Sequence, residues 1–284
     1  MRIDRIITLV FLIAITQAFL LIFDPAGGFF ATNIDQNLVF PLTVIILAAL
    51  VLITMGIADA VVRSHPQIYL VKLPTLRLGR NKFEIAPFAW IIPGMLVVGS
   101  YLFIRLFADA VVQISGTILF SLLILLVVIA QYYSLGRQSR YYGWAVIGLN
   151  ITTYLTGFLI FSSVYVNKWR AFISAPLIGL TGLLLAYELL RQTRAPGGKV
   201  LTACLITGII LGEVAFALNY WAVSALVGGI VPLLICYILI GLLQAHLTGN
   251  LNKAVLREYL AVSVISIALV VWAVLANIKL GSGS

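Results

Sequence analysis

Nine separate apolar stretches dominate this chain. They run over about residues 6–23, 38–62, 87–108, 115–133, 142–164, 172–190, 200–219, 222–246 and 259–278. A helix that crosses a bilayer needs roughly 20 apolar residues. Hydrocarbon offers no water to backbone N–H and C=O groups, so each such stretch must bond to itself as a helix. The expected fold is therefore all-α: a polytopic transmembrane helical bundle of about nine spans, with residues 1–280 as a single integral membrane domain. Gly281-Ser282-Gly283-Ser284 reads as a linker or tag remnant and is set apart.

Composition excludes the main alternatives. Hydrophobic residues are 62% of the 284 and charged residues 10%, against about 45–50% and 25% in soluble domains. Such a chain is not a secreted disulfide scaffold, a disordered segment or an ordinary soluble enzyme. Between the apolar stretches there is no room for a separate soluble domain. Any chemistry must sit between helices or in short loops. The first stretch follows Arg2 and Arg5, as a signal peptide would. Its apolar run exceeds the usual 7–15 residues and no A-x-A site follows it, so an uncleaved first span is expected.

The net charge of +9 is a topology signal rather than a nucleic-acid signal, because the bases are scattered among loops. With the N-terminus cytoplasmic, the inner side holds Arg2, Arg5, Arg63, Lys72, Arg77, Arg80, Lys82, Arg137, Arg140, Arg191, Arg194, Lys199, Lys253 and Arg257, fourteen of the eighteen. The outer side holds Lys168, Arg170 and Lys279, and Arg105 falls within a span. The C-terminus is then outside. With no transit-like or retention signal, the expected location is a bacterial-type plasma (inner) membrane.

Two connections are longer than the rest. Residues 24–37 carry Asp24 and Asp35 and no base, which suits the outer face. Residues 63–86 are basic and alternate in part (Ile68, Leu70, Lys72, then Thr75, Arg77, Gly79). They form either a solvated loop or a short β-hairpin on the membrane surface, whose bases favour anionic head groups. Ala58-Asp59-Ala60-Val61-Val62 recurs as Ala108-Asp109-Ala110-Val111-Val112, a weak hint of an inverted repeat. Nine spans do not divide into equal halves.

Ionisable residues inside a membrane are costly, which makes them candidates for function. Glu213 lies in span seven and Arg105 at comparable depth in span three. Tyr101 and Asp109, at i−4 and i+4 from Arg105, would extend one polar stripe facing Glu213. That arrangement suits a zwitterionic or anionic group near the outer leaflet. The structural alternative is Arg105 paired with Asp109 at the interface and Glu213 bonded to a hydroxyl. Span eight carries Gly228, Gly229 and Pro232, which permit either a broken helix at a cavity or close packing with a kink. Cys204, Gly208 and Gly212 recur every four residues, a small-residue ribbon that lets another helix approach closely and keeps Glu213 beside a helix–helix interface.

Asp59 with Arg63, and Glu188 with Arg191, read as ion pairs at inner helix ends. Asn150, Thr152, Thr153 and Tyr154 form a polar patch in span five that suits interhelical hydrogen bonds. Cys204 and Cys236 read as buried small residues. His65 and His246 are the only histidines. With no H-E-x-x-H helix, metal-ligand cluster, P-loop or G-x-S-x-G motif, neither metal nor cofactor is expected. Three function classes follow: a non-catalytic protein binding membrane lipids, membrane subunits or its own copies; a small-solute or lipid transporter; and an enzyme on a lipid-linked substrate using Asp24, Asp35, Glu213 or Asp109.

Overall fold

The computed structural model describes residues 3–22, 36–68, 75–78, 81–84, 86–136, 139–167, 170–193, 195–220 and 225–281. Among these are nine α-helices: α1 (Ile3–Ile22), α2 (Gln36–Arg63), α3 (Phe88–Ile104), α4 (Ala110–Tyr133), α5 (Tyr142–Val166), α6 (Ala171–Leu190), α7 (Gly197–Leu218), α8 (Ala225–Leu247) and α9 (Lys253–Gly281). Each coincides with one apolar stretch. Six are long and apolar enough to cross a membrane, and the segments Ile7–Ile22 and Phe88–Ile104 form shorter apolar helices. Large apolar side chains stand exposed along them, among them Phe11, Ile15, Leu52, Leu119, Ile151 and Ile209. That is the reverse of a water-soluble surface and is what hydrocarbon requires.

Among the described residues the strands are those of one two-stranded antiparallel ladder, β1 (Thr75–Leu78) with β2 (Asn81–Glu84). Its register sets Leu76 opposite Phe83 and Arg77 opposite Lys82. The strand pairing of the hairpin reading thus holds for residues 75–78 and 81–84. Ile68 belongs instead to the turns that follow α2. The acidic connection with Asp24 and Asp35 lies outside the described residues, as do Lys72, Arg80 and Ser282–Ser284.

The chain divides into two compact units, residues 1–152 and 153–284. In the first, α3 is the central helix. Eleven of its 17 residues are buried, and it packs on α2 and α4. Gly94 allows the approach to α2, because a Cβ there would lie 2.5 Å from the Met55 Cε. A buried amide crosses from α1: Gln17 donates to the Ser100 hydroxyl at 2.9 Å and to the Val97 carbonyl at 3.2 Å. No local sequence signal marked that contact.

The end of α2 is tied down by charge. Asp59, 4% exposed, pairs with Arg63 at 2.6 Å and also accepts from the Ala86 N–H at 2.7 Å. One carboxylate therefore joins the last turn of α2 to the chain as it returns from the hairpin. Past the helix end, the His65 Nδ1 accepts from the Gln67 N–H at 3.1 Å, and its ring meets Tyr132 edge-on at 4.6 Å. Nδ1 is thus an acceptor, which fixes the neutral Nε2–H tautomer. Burial lowers the His65 pKa from its ordinary 6.5.

The recurring Ala-Asp-Ala-Val-Val segments do opposite jobs. The first ends α2. The second starts α4, where Asp109 accepts from the N–H groups of Val111 and Val112 at 2.7 and 3.3 Å, an N-cap. A repeat of structure would give both copies the same place, so the similarity is one of letters only.

In the second unit, α6 and α7 form the closest helix pair. The Cys204–Gly208–Gly212 ribbon does pack as a seam, and its counterpart is Ala175, Gly179 and Gly182 on α6. A Cβ on Gly179 would stand 2.8 Å from the Gly208 carbonyl oxygen, and one on Gly208 would stand 2.9 Å from that of Gly179. These are contacts with backbone, which cannot swing away. Beyond the seam, Glu188 is fully buried and binds Arg191 through two guanidinium nitrogens, Nε at 2.9 Å. Tyr154, Tyr237 and Tyr259 link α5, α8 and α9 through ring contacts of 5.6 and 6.0 Å. Elsewhere in the span-five patch, the Thr152 hydroxyl returns to its own helix at the Gly148 carbonyl.

Span eight is not broken. α8 continues through Pro232, and its two glycines serve packing. A Cβ on Gly228 would collide with the Tyr165 ring, and one on Gly229 with Ser162 of α5. A proline frees only one carbonyl, which a membrane helix accommodates locally, so the glycines here signal contact rather than a break.

Candidate functional site

The polar stripe expected on span three does not form. α3 ends at Ile104, where Arg105 is the C-cap and its N–H bonds back to the Tyr101 carbonyl. Tyr101 is 2% exposed, whereas Arg105 is exposed. Asp109 lies beyond the turn and faces the first turn of α4. The i, i+4 spacing holds from Tyr101 to Arg105 but fails from Arg105 to Asp109, because the helix stops one residue before Arg105. Tyr101, Arg105 and Asp109 belong to the first unit, and Glu213, Gly228, Gly229 and Pro232 to the second.

Within the second unit, the geometry gathers around Glu213. It sits five residues before the last helical residue of α7, Leu218, about 7.5 Å along the axis. The carboxylate is exposed. Among the described residues it makes no hydrogen bond or ion pair. It stands beside the glycine seam, as expected, but on the open flank of it. There, α6 and α7 form a groove of about 460 Å³, lined by Ala175, Pro176 and Leu183 on one side and Leu205, Ile209 and Phe216 on the other, with Gly179, Gly208 and Gly212 as its floor. The small residues that bring the helix axes together also leave no side chains to fill this flank. Glu213 is the one ionisable residue in the lining.

An aromatic cluster closes the Leu218 end. Phe172 meets Phe216 at 6.3 Å and 78°, and Phe216 meets Tyr220 at 5.6 Å. Phe172 and Tyr220 are 85% and 77% exposed. Glu213 and Phe216 follow at i and i+3 on one helix face, and Tyr220, in the turn beyond Leu218, packs against Phe216. The sequence carried this signal in plain spacing, but a reading centred on charge passed over it. From Phe216 down to Leu205, the groove covers eleven residues, about 16 Å. Half of a bilayer core is about 15 Å.

The chemistry here is that of an amphiphile site: an acid and aromatic faces at one end, an apolar trough at the other. No nucleophile–base pair lies in the lining. Among the described residues, no three His, Cys, Asp or Glu side chains converge as metal ligands would.

Fold and composition define a helical membrane protein with apolar helices long enough to span. The chain belongs to the DUF5656 family, described as a protein of unknown function, whose model matches residues 27–273. No curated protein and no solved structure matches the chain.

Proposed function

We propose that this is a non-catalytic, lipid-binding protein of a bacterial-type plasma membrane, with nine spans, a cytoplasmic N-terminus and an external C-terminus. Its site is the α6–α7 groove. The occupant is one outer-leaflet phospholipid whose head group ends in an ammonium, as in an ethanolamine lipid. The observation that carries this reading is Glu213, a lone exposed carboxylate at the mouth of an apolar groove one leaflet deep. The orientation rests on the fourteen-to-three distribution of bases, which puts the Leu218 end of α7 outside.

A carboxylate takes an ammonium through charge-assisted hydrogen bonds. Phe172, Phe216 and Tyr220 offer the ring faces that attract cations, and they suit the aromatic belt at a membrane interface. The acyl chain then covers Leu205, Ile209 and Leu183, and a chain of one leaflet's length fills the trough. The groove has no second acid to act as general base. In this reading Arg105 is an interfacial residue at the end of α3, and Gly228, Gly229 and Pro232 serve packing.

Native mass spectrometry of the detergent-solubilised protein tests this. Glu213→Gln should weaken retention of phosphatidylethanolamine about tenfold relative to the wild type, the worth of one charge-assisted hydrogen bond, and should leave retention of phosphatidylglycerol unchanged. Equal retention by wild type and variant contradicts the reading.

A further inference from the structure

At the opposite end of α7 lies a second cavity of different character. α7 and α8 are consecutive helices that pack together, yet they part where α7 begins and α8 ends. The cleft left between them has a volume of about 700 Å³. Lys199, Thr202 and His246 line it together with the apolar side chains of Ala203, Ile206, Leu243 and Leu247. Lys199 and His246 are both exposed, and the lining includes no carboxylate. The nearest acids of this unit are engaged or elsewhere: Glu188 is held by Arg191, and Glu258 lies on the outward surface of α9. Gly197 and Gly198, at the start of α7, have open space where a side chain would stand.

We propose that this cleft binds an anionic phospholipid of the inner leaflet, with the phosphate at Lys199 and His246 and an acyl chain against Ile206, Leu243 and Leu247. Topology alone explains a lysine at an inner helix end. It does not explain a void of this size beneath it. Two tightly packed helices normally close such a space; a cationic rim over an apolar interior fits an occupant with one anionic end and one apolar end. Basic pockets between spans on the cytoplasmic side recognise anionic head groups in this way. Lys199 supplies the charge, and the His246 imidazole N–H and Thr202 hydroxyl supply donors to phosphate oxygens. The first turn of α7 adds partial positive charge of the same sign. The inference shares only the orientation with the reading of Glu213.

The test is the thermal stability of the full chain in detergent micelles carrying phosphatidylglycerol, phosphatidylcholine or no added lipid, with free glycerol phosphate as a fourth arm. Phosphatidylglycerol should raise Tm by roughly 2–4 °C and free glycerol phosphate should not; in Glu213→Gln, which removes the ammonium anchor of the α6–α7 groove, phosphatidylcholine should not either. The double variant Lys199→Ala/His246→Ala should lose the rise. Lys199→Arg should keep it, as should Arg140→Ala, which removes an exposed base of the first unit. Since Lys199 and His246 are exposed, the baseline Tm of the double variant should match the wild type; if it does not, Lys199→Glu provides the same test of charge. Glu213→Gln should leave the phosphatidylglycerol effect intact, so failure here is separable from failure at the α6–α7 groove. Persistence of the rise in the double variant, or an equal rise with phosphatidylcholine in Glu213→Gln, overturns the proposal. An equal rise with glycerol phosphate overturns the lipid and leaves a soluble phosphate as the ligand.

Discussion

The two ends of α7 are built on different principles. Toward Leu218, the helix is held by shape: Gly208 and Gly212 meet α6 backbone to backbone, and the groove beside them is lined by carbon with a single acid. Toward Gly197, shape gives way to charge. The neighbouring end of α6 is closed by the buried Glu188–Arg191 pair, and α8 stands away from Lys199. In the proposed orientation, the acid faces the outer leaflet and the bases face the inner one. In the proposed reading a single helix thus presents two amphiphile sites of opposite sign. Each is open because of how the neighbouring helix packs, closely on a glycine floor in one case and parted in the other.

This comparison can be broken in several places. Arg191→Ala should have the largest effect. It strands the fully buried Glu188 carboxylate, and loss of one partner of a buried pair costs about 3–5 kcal/mol. Denaturant titration in mixed micelles measures it, and Glu188→Gln/Arg191→Met should recover much of the loss. Next is the seam. Gly208→Leu forces a side chain against the Gly179 carbonyl and should cost about 1–3 kcal/mol, while Thr202→Leu at the exposed cleft end should stay within about 0.5 kcal/mol. If the two substitutions cost the same, the contrast between a shape-held end and an open end is wrong.

The smallest effect belongs to the first unit. His65 has its pKa lowered in the folded state by burial, so the unfolded chain binds the extra proton more readily. Stability should be fully present above pH 6.5 and should fall modestly as the pH drops from 6.5 through the lower folded value. His65→Gln should flatten that slope in a pH-dependent melting series. A slope that survives the substitution assigns it to other groups.

Much of this was legible in the sequence. Apolar length located all nine described helices, because hydrocarbon leaves no other backbone solution. Four-residue spacing of small side chains located the α7 seam, and i, i+3 or i, i+4 charges located the Asp59–Arg63 and Glu188–Arg191 pairs. What failed was inference across a helix end. Arg105 and Asp109 have helical spacing but no helix between them, because Asp109 serves α4 as a cap. Of the two readings of span eight, close packing is the one that holds, since Gly228 and Gly229 admit Tyr165 and Ser162. What was invisible was contact at long range. Nothing in the local spacing joins Lys199 to His246, Gln17 to Ser100, or Asp59 to the Ala86 N–H. Glu213 itself stood out, but its setting did not, since the groove depends on the matching small residues of α6.

The central claim is that the groove beside Glu213 seats a lipid by its ammonium head. Photo-crosslinking with a phosphatidylethanolamine carrying a photoactivatable group near the head, in liposomes, tests it most directly. Peptide mapping should place the label on the Ala171–Pro176 and Glu213–Tyr220 segments, and Glu213→Gln should remove most of it. Label spread evenly over the exposed helices, unchanged by Glu213→Gln, would contradict the account.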